Sequence, residues 1–589
     1  MSGKRIQTSV SELTKRVAGL SPEKRLLLQQ QLAGSSRSGF ELIARSLREF
    51  GITHIYVVAG MPSEELLPAC VDQNIRPIGV YHQTSAICMA LAHNYQCGRL
   101  AAAALVSAGP AASNSITGLL VAHDNGWPVI VLGGRSSSFQ KFDVLPIVSQ
   151  ITKYAVQVPS TVSIGACIRE AHEAAVSGRP GPVYMDLHED VLRGRAVVEA
   201  DSSTGSRKRL RPAPSASDEE IETVAAALLS ARCPALLLGK GVRWTVVPEQ
   251  LQALVEAIGL PLITSPMGRG FIPEDHPLCF NQARVALKSR ADVVLMLGAR
   301  LNWVFRHGVE LSREACVFRV DIHHDDDDDA AIETRFIHAD AGDFVNRLIE
   351  LVKHRHKDVS NSRCRRLIDW QNSLRAVSDE TQRLLDQRMS CNTRPMSPYR
   401  MMKEIRNALP RDAICITEGN VSMRAAQAAI PAFCPASRMD AGTNGCMGVG
   451  IPFAIGAKLA CPDRPVVAVV GDYGFSLSAM EMEVCPRQGI PVIVVIANNQ
   501  GNNGALKQRA YFPDQSELVT SFQPGLEYER IMQTFGGDGT TVTDPDLLGP
   551  MLVKAIASDK PTCINVIVDP HFPLPNAWGE QSSIVPFRA

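Results

Sequence analysis

Between Val470 and Gly504 the chain reads VGDYGFSLSAMEMEVCPRQGIPVIVVIANNQGNNG. An apolar run, Pro465 to Val470, stops at Gly471-Asp472, and a second, Pro491 to Ala497, stops at Asn498-Asn499. Each run is short, rich in Val and Ile and bounded by turn residues, which predicts a strand buried on both faces. The segment between them is long enough for a crossover helix, so the two strands run parallel in an open α/β sheet. Asp472 and Asn499 then stand at the carboxyl ends of two strands, where such sheets bind ligands. One carboxylate, one side-chain amide and a nearby backbone carbonyl make an all-oxygen set, which suits Mg²⁺ shared with phosphate oxygens. The plain alternative is a strand–helix–strand unit with polar loops and no ligand.

The chain has 589 residues, too many for one core, so several domains are expected. Its 60 Lys and Arg residues balance 60 Asp and Glu residues, which argues against nucleic-acid and anionic-membrane partners. No apolar run reaches membrane-spanning length, and the opening MSGKRIQTSV lacks a signal-peptide apolar region. The 15 cysteines form no CxxC pair and read as reduced, mostly buried residues of a cytoplasmic protein.

In chain order, residues 1–36 form a helical extension. Its amphipathic stretch, Val10 to Leu32, has Ser21 as N-cap before Pro22. LSPEKRLLL within it is similar to pieces of modular peptide synthetases, so a docking segment is the alternative to a helix lying on the body. Residues 37–193 alternate helical and strand patterns, with strands at Ile55–Val58, Ile78–Tyr81, Ala102–Ser107, Val129–Gly133 and Val183–Leu187. A Ser-, Arg- and Pro-rich linker, 194–217, leads to a second α/β unit at 218–357. Its strands are Ala235–Leu238, Leu260–Thr264, Val293–Leu297 and Val317–Val320. The run HHDDDDDAA at 323–331 reads as a solvated loop, because ligands on adjacent residues cannot all converge on one cation. A charged linker helix occupies 358–395, a third α/β domain 396–575, and an irregular tail 576–589.

Three consecutive doubly wound parallel-sheet domains, with GD…NN in the third, resemble the thiamine diphosphate (ThDP)-dependent enzymes. The order would be pyrimidine-binding, central and diphosphate-binding. The branch most similar is that of oxalyl-CoA decarboxylase and 2-hydroxyacyl-CoA lyase. The resemblance rests on VAGMPSEEL (58–66), DNGWPVIVLGG (124–134), SGRPGPVYMDL (177–187), ADVVLMLGARLNWVFRHG (291–308), RMDAGTNGCMGVG (438–450), GDYGFSLSAMEME and KPTCINVIVDP (560–570). It implies that Asp472, the Asn499 side chain and the Gly501 carbonyl hold Mg²⁺. Met447 would be the apolar wedge that bends ThDP, and the Gly445 carbonyl would receive its 4′-amino group. Gly419, Asn420 and the backbone N–H groups of Tyr473 and Gly474 would hold the diphosphate. Met61 and Pro62 would lie against the cofactor from the pyrimidine domain. Lys240 matches a central-domain lysine that contacts a nucleotide (ADP or CoA) in CoA-handling relatives, with an ordinary solvated lysine as the alternative. The resemblance also implies a homodimer or homotetramer acting on an α-keto acid or a 2-hydroxy- or 2-ketoacyl thioester, as a small molecule or on a carrier. The alternatives are an acetolactate-synthase-like carboligase, which FAD in the central domain would favour, and a catalytically silent ThDP-binding homologue.

The chain departs from the pattern at three chemical positions. Tyr473 replaces the usual third Gly of the metal motif. At the end of the second strand, Tyr81-His82-Gln83-Thr84 stands where the family shows R-(H or N)-E-Q, which puts Gln83 at the catalytic Glu position. Gln hydrogen-bonds but exchanges no proton at neutral pH, and general acid–base help is worth about 10²–10⁴ in rate. His82 is a neighbouring candidate, but strand alternation would point it away from Gln83. Asn502-Asn503 replaces Ile-Tyr, so at Asn503 an amide stands in for a substrate-facing hydroxyl.

Overall fold

A computed structural model describes residues 21, 36–197, 213–324, 330–355, 361–502 and 520–572. The amphipathic stretch 10–32 apart from Ser21, most of the 194–217 linker, the five aspartates 325–329, Asn503 and the tail beyond Phe572 lie outside the described residues.

The first domain opens with β1 (Ser36–Ser38). Its sheet is built from β2 (His54–Val57), β3 (Arg76–Gly79), β4 (Ala102–Val106), β5 (Val129–Arg135), β6 (Tyr154–Gln157) and β7 (Pro182–His188), all parallel in the order β3-β2-β4-β5-β7-β6. β8 (Arg195–Val197) returns antiparallel to β1. The central sheet holds β9 (Pro234–Leu238), β10 (Leu262–Thr264), β11 (Val293–Leu297), β12 (Cys316–Asp321) and β13 (Arg335–His338) in the order β10-β9-β11-β12-β13, again all parallel. The third contains β14 (Ile414–Glu418), β15 (Arg438–Asp440), β16 (Val466–Gly471), β17 (Ile493–Asn498), β18 (Asp538–Val542) and β19 (Thr562–Ile567), parallel in the order β15-β14-β16-β17-β19-β18. All three are doubly wound parallel sheets. The first and third share one strand order, and the central one follows it for four strands.

That order creates a switch point in each sheet, where the chain leaves one strand toward one edge and returns on its other side. Crevices form at the carboxyl ends of such strand pairs. In the third sheet the pair is β14 and β16, followed by Gly419 and Asp472. In the first it is β2 and β4, followed by the segments of Met61 and Asn114. In the central sheet it is β9 and β11, followed by Lys240 and Arg300.

The outer domains pack directly on one another. The helix Gln83–Cys97 carries Ala, Ser or Cys at six of its 15 positions and is buried on all sides, which suits a helix clamped between layers. It crosses the helix Gly450–Ala460 so closely that a Cβ on Gly456 would lie 2.1 Å from the Met89 carbonyl oxygen. One apolar cluster, including Tyr95, Trp127, Phe453 and Phe475, spans both sheets.

The second strand ends two residues earlier than the sequence suggests. β3 ends at Gly79, and Gln83 is the first residue of the following helix. The strand-alternation argument against His82 therefore fails. The predicted crossover helix after Asp472 is three pieces, Asp472–Ser478, a 3₁₀ turn Ala479–Glu483 and Val484–Gln488.

Candidate active site

Asp472 follows β16 directly and is 1 % exposed. Its Oδ1 accepts the Tyr473 N–H at 2.8 Å and its Oδ2 the Gly501 N–H at 2.9 Å. Burial pushes its carboxyl up to about 6. Asn499 follows the neighbouring strand β17 and is also buried. The chain then turns at Gln500 (φ 63°) and Gly501, where the Asn502 N–H reaches the Thr520 carbonyl at 2.8 Å. Tyr473 stacks on Phe522 at 6.0 Å between ring centroids. The unusual residue of the GDYG turn thus packs against the segment 520–522, which bridges back to Gly501 through Ser521.

Gly419 (φ +90°) ends the first turn after β14, and Asn420 begins the helix Asn420–Ala429. Met447 is half-buried in a loop between Gly445 (φ +69°) and Gly448 (φ +83°), which is not the placing of a core-filling methionine. Gly474 lies under the side chain of Glu418. Glu418 itself, which sequence reasoning missed, accepts the Gly448 and Gly450 N–H groups at 2.5 Å each. Burial raises its carboxyl.

On the pyrimidine-domain side, Gln83 is 9 % exposed and its Oε1 accepts the Asn114 Nδ2–H at 3.1 Å. His82 is the N-cap of the same helix, its Nδ1 accepting the Thr84 N–H at 3.1 Å. That bond leaves the ring proton on Nε2. The backbone N–H groups of Tyr81 and His82 donate to the buried Glu481 carboxylate at 3.1 and 2.9 Å. Glu481 belongs to the third domain, so it fixes the start of the Gln83 helix from across the domain boundary. Burial raises its carboxyl too. Met61-Pro62 turns after β2, with Met61 52 % exposed and Pro62 packed toward Gly134. Asn503 lies outside the described residues.

The sequence-predicted residues thus gather in two sets. Gly419, Asn420, Gly445, Met447, Asp472, Tyr473, Gly474, Asn499 and Gly501 cluster at the carboxyl ends of β14, β16 and β17 and the loops beyond them. Met61, Pro62, His82 and Gln83 cluster at those of β2 and β3. Asn114 and Glu481 escaped sequence reading. Their only signals were an Asn in the small-residue turn after β4 and an acidic residue in the helix after the GD motif.

A third group joins all three domains. The Lys240 ammonium donates to Asn125 Oδ1 and, at 2.9 Å, to Thr443 Oγ1. Arg300 reaches the Asp124 carbonyl at 2.7 Å and Thr443 Oγ1 at 3.2 Å, and Trp303 Nε1 donates to the Thr443 carbonyl at 3.1 Å. Asn125 Oδ1 also accepts the Thr443 N–H. The strings DNGW, LGKGV, GARLNW and AGTNG therefore meet at one junction, four residues before Met447. Lys240 is half-buried and hydrogen-bonded rather than freely solvated, and desolvation, with Arg300 and Arg179 nearby, lowers its pKa well below that of an ordinary lysine.

The donor chemistry fits a metal–diphosphate group. Asp472 presents a desolvated carboxylate beside a buried side-chain amide, an all-oxygen set. Gly445 and Gly471 border open space, since a Cβ on either meets no atom within 4 Å.

Comparison with known proteins places these features. Three family descriptions match in chain order: "Thiamine pyrophosphate enzyme, N-terminal TPP binding domain" over residues 37–143, "central domain" over 221–348 and "C-terminal TPP binding domain" over 418–566. A 2-hydroxyacyl-CoA lyase of Arabidopsis thaliana is 31 % identical over 562 residues, covering 91 % of this chain and 96 % of the relative. Oxalyl-CoA decarboxylase of Escherichia coli is 30 % identical over 551 residues, covering 90 % and 95 %. An acetolactate synthase large subunit of Mycobacterium tuberculosis is 28 % identical over 543 residues, covering 91 % and 96 %. With three matching domains and relatives matched along nearly their whole length, the chain belongs to the thiamine pyrophosphate enzymes, as a ThDP-dependent carbon–carbon lyase or decarboxylase.

Proposed function

We propose that the protein cleaves or forms the bond next to the carbonyl of a 2-hydroxy- or 2-ketoacyl thioester, with Mg²⁺ as the metal partner of ThDP. ThDP supplies a carbanion equivalent that attacks a carbonyl and stabilises the charge left when the adjacent bond breaks. Asp472, the Asn499 amide and the Gly501 carbonyl would hold the metal, and Gly419, Asn420, Tyr473 and Gly474 the diphosphate. Met447 would press on the cofactor between its rings while the Gly445 carbonyl accepts the 4′-amino group.

Gln83 is the observation that shapes the reading. Asn114 occupies its Oε1, so the Nε2–H group is the end left to face a cofactor. A donor there stabilises an unprotonated pyrimidine N1′ and supplies no proton. With no proton supplied at that end, capture of the carbanion equivalent by a second carbonyl would be favoured over its release as a protonated product, which favours ligation over simple decarboxylation. His82 holds its helix start by capping and does not replace the missing acid. The pyrimidine and diphosphate sites of one ThDP would come from two copies of the chain. Exposed Met61, Tyr81, Leu477 and Met480 beside those sites support a homodimer, or a tetramer of two such pairs. The 15 free cysteines favour a reducing, cytoplasmic setting.

A nucleotide-bearing substrate or effector is the second part of this reading. A cavity of about 660 Å³ between the first and central domains is lined by Arg99, Arg179, Lys240, Arg300 and Asp321. The cations suit phosphates, and Asp321, at the carboxyl end of β12, suits ribose hydroxyls. This chemistry fits ADP or CoA, and the same site would serve FAD in an acetolactate-synthase-like enzyme.

The test is product analysis with the Mg²⁺- and ThDP-loaded protein. Cleavage of a 2-hydroxyacyl-CoA between C1 and C2 must leave an aldehyde and formyl-CoA. Decarboxylation of oxalyl-CoA must leave CO₂ and formyl-CoA. With either thioester as donor and an added aldehyde as acceptor, a new 2-hydroxyacyl-CoA is expected in excess over formyl-CoA. Turnover of pyruvate alone, with no reaction of either thioester, would overturn the proposal.

A further inference from the structure

We propose that Glu418 is a positioning residue that sets the loop carrying Met447 against the turn carrying Asp472. Glu418 is the last residue of β14 and is 1 % exposed. Its two carboxylate oxygens are used separately, Oε1 by the Gly448 N–H and Oε2 by the Gly450 N–H, each at 2.5 Å. The same carboxylate rests on the GDYG turn, where a Cβ on Gly474 would lie 2.2 Å from Oε1. On the other side, a Cβ on Gly450 would lie 2.8 Å from Oε2. One side chain therefore spans from the residue after Met447 to two residues past Asp472, and its own backbone continues into Gly419-Asn420.

The charge is held by amides at the start of the helix Gly450–Ala460, where the helix dipole favours an anion. A simple cap needs one acceptor oxygen. Glu418 uses two, on either side of Val449, which fixes the path of the loop as well as the helix start. Gly448 has φ +83° and follows Met447 directly, so the height of Met447 above the sheet is set through the Oε1 bond. The inference rests on the proposed placing of ThDP across these loops. Glu418 itself touches neither reacting atoms nor metal in this account.

Glu418→Gln tests it with almost no change in volume. The amide keeps one acceptor and opposes an NH₂ group to the other backbone N–H, which must release. Hydrogen exchange of the apo protein should show protection of the Gly448 or Gly450 amide falling by about tenfold or more, the equivalent of one charge-assisted bond. Affinity for Mg²⁺ with inorganic diphosphate should stay within about threefold, while ThDP affinity and the rate of C2–H exchange of bound ThDP each fall by about tenfold or more. Unchanged amide protection, or ThDP affinity and C2 exchange both within about threefold of wild type, would overturn the proposal. Should Glu418→Gln not fold, Glu418→Asp carries the same readouts, since it keeps the charge and is too short to reach both amides. Wild type that binds no ThDP would instead sink the functional reading on which this one rests.

Discussion

Replacing Lys240 by Met separates a structural lysine from a functional one. The side chains are similar in length and volume, so packing is nearly kept. Two hydrogen bonds from a charged donor are lost, each worth about 1.5–3 kcal/mol. Their acceptors are not orphaned, because Asn125 Oδ1 keeps the Thr443 N–H and Thr443 Oγ1 keeps Arg300. Against that loss stands the cost of holding a half-buried ammonium beside Arg179 and Arg300, an appreciable part of the several kcal/mol that a fully buried ion with imperfect compensation would carry. The two nearly cancel, so Lys240→Met should leave the unfolding free energy within about 1 kcal/mol of wild type or raise it by about 1–2 kcal/mol. Urea unfolding followed by tryptophan fluorescence reads this, since Trp244 and Trp303 lie near the junction. In the same protein, ADP or CoA affinity by calorimetry should fall by about tenfold or more, the loss of one charge-assisted contact. A drop in stability of about 3 kcal/mol or more, with nucleotide binding intact, would show that Lys240 is a strut between domains and refute the reasoning.

Asp472→Ala should abolish Mg²⁺-dependent ThDP binding by calorimetry, and undiminished binding would remove the metal assignment. Two histidines of the first domain, His93 buried and His54 half-buried, predict acid sensitivity. Burial lowers His54 to about 4 and His93 to about 3, with their rings 4.5 Å apart and Tyr56 bonded to His93. Both are neutral when folded and protonate near 6.5 when unfolded. Stability is therefore full above pH 6.5 and falls as pH drops toward 4, by up to about 3 kcal/mol per histidine over that window. His54→Phe should flatten the decline measured in denaturant between pH 7 and 4.5, and an unchanged slope would contradict it.

The frame of the molecule was readable because parallel strands buried on both faces leave continuous Val, Ile and Ala runs, and β11, β16 and β17 fall where those runs lie. β6, β13 and β18 were missed, being strands with mixed or exposed faces such as Asp538–Val542, and the short pair β1 and β8 was missed as well. β14, β15 and β19 were not singled out either, although β14 and β19 are buried runs. Asp472 and Asn499 were legible because each ends such a run. Glu418, Asn114 and Glu481 were not, because what marks them is a hydrogen bond to a segment distant in sequence. Lys240 misled for the same reason, as its hydrogen-bond partners Asn125 and Thr443 come from two other domains. The position of Gln83 on a helix rather than a strand turned on a boundary four residues past Gly79, where Tyr81 and His82 donate to Glu481 instead of a sheet partner.

The central claim is that Gln83 faces the pyrimidine N1′ of ThDP and holds it without exchanging its proton. Hydrogen–deuterium exchange at C2 of ThDP bound to wild type and to Gln83→Glu tests it most directly, with products analysed in parallel. Restoring a carboxyl group should speed exchange by about 10²-fold or more, the usual scale of general acid–base help, and shift products toward the protonated, aldehyde type. Equal exchange rates in the two proteins would mean that residue 83 does not address the cofactor, and the proposed mechanism would fall with it.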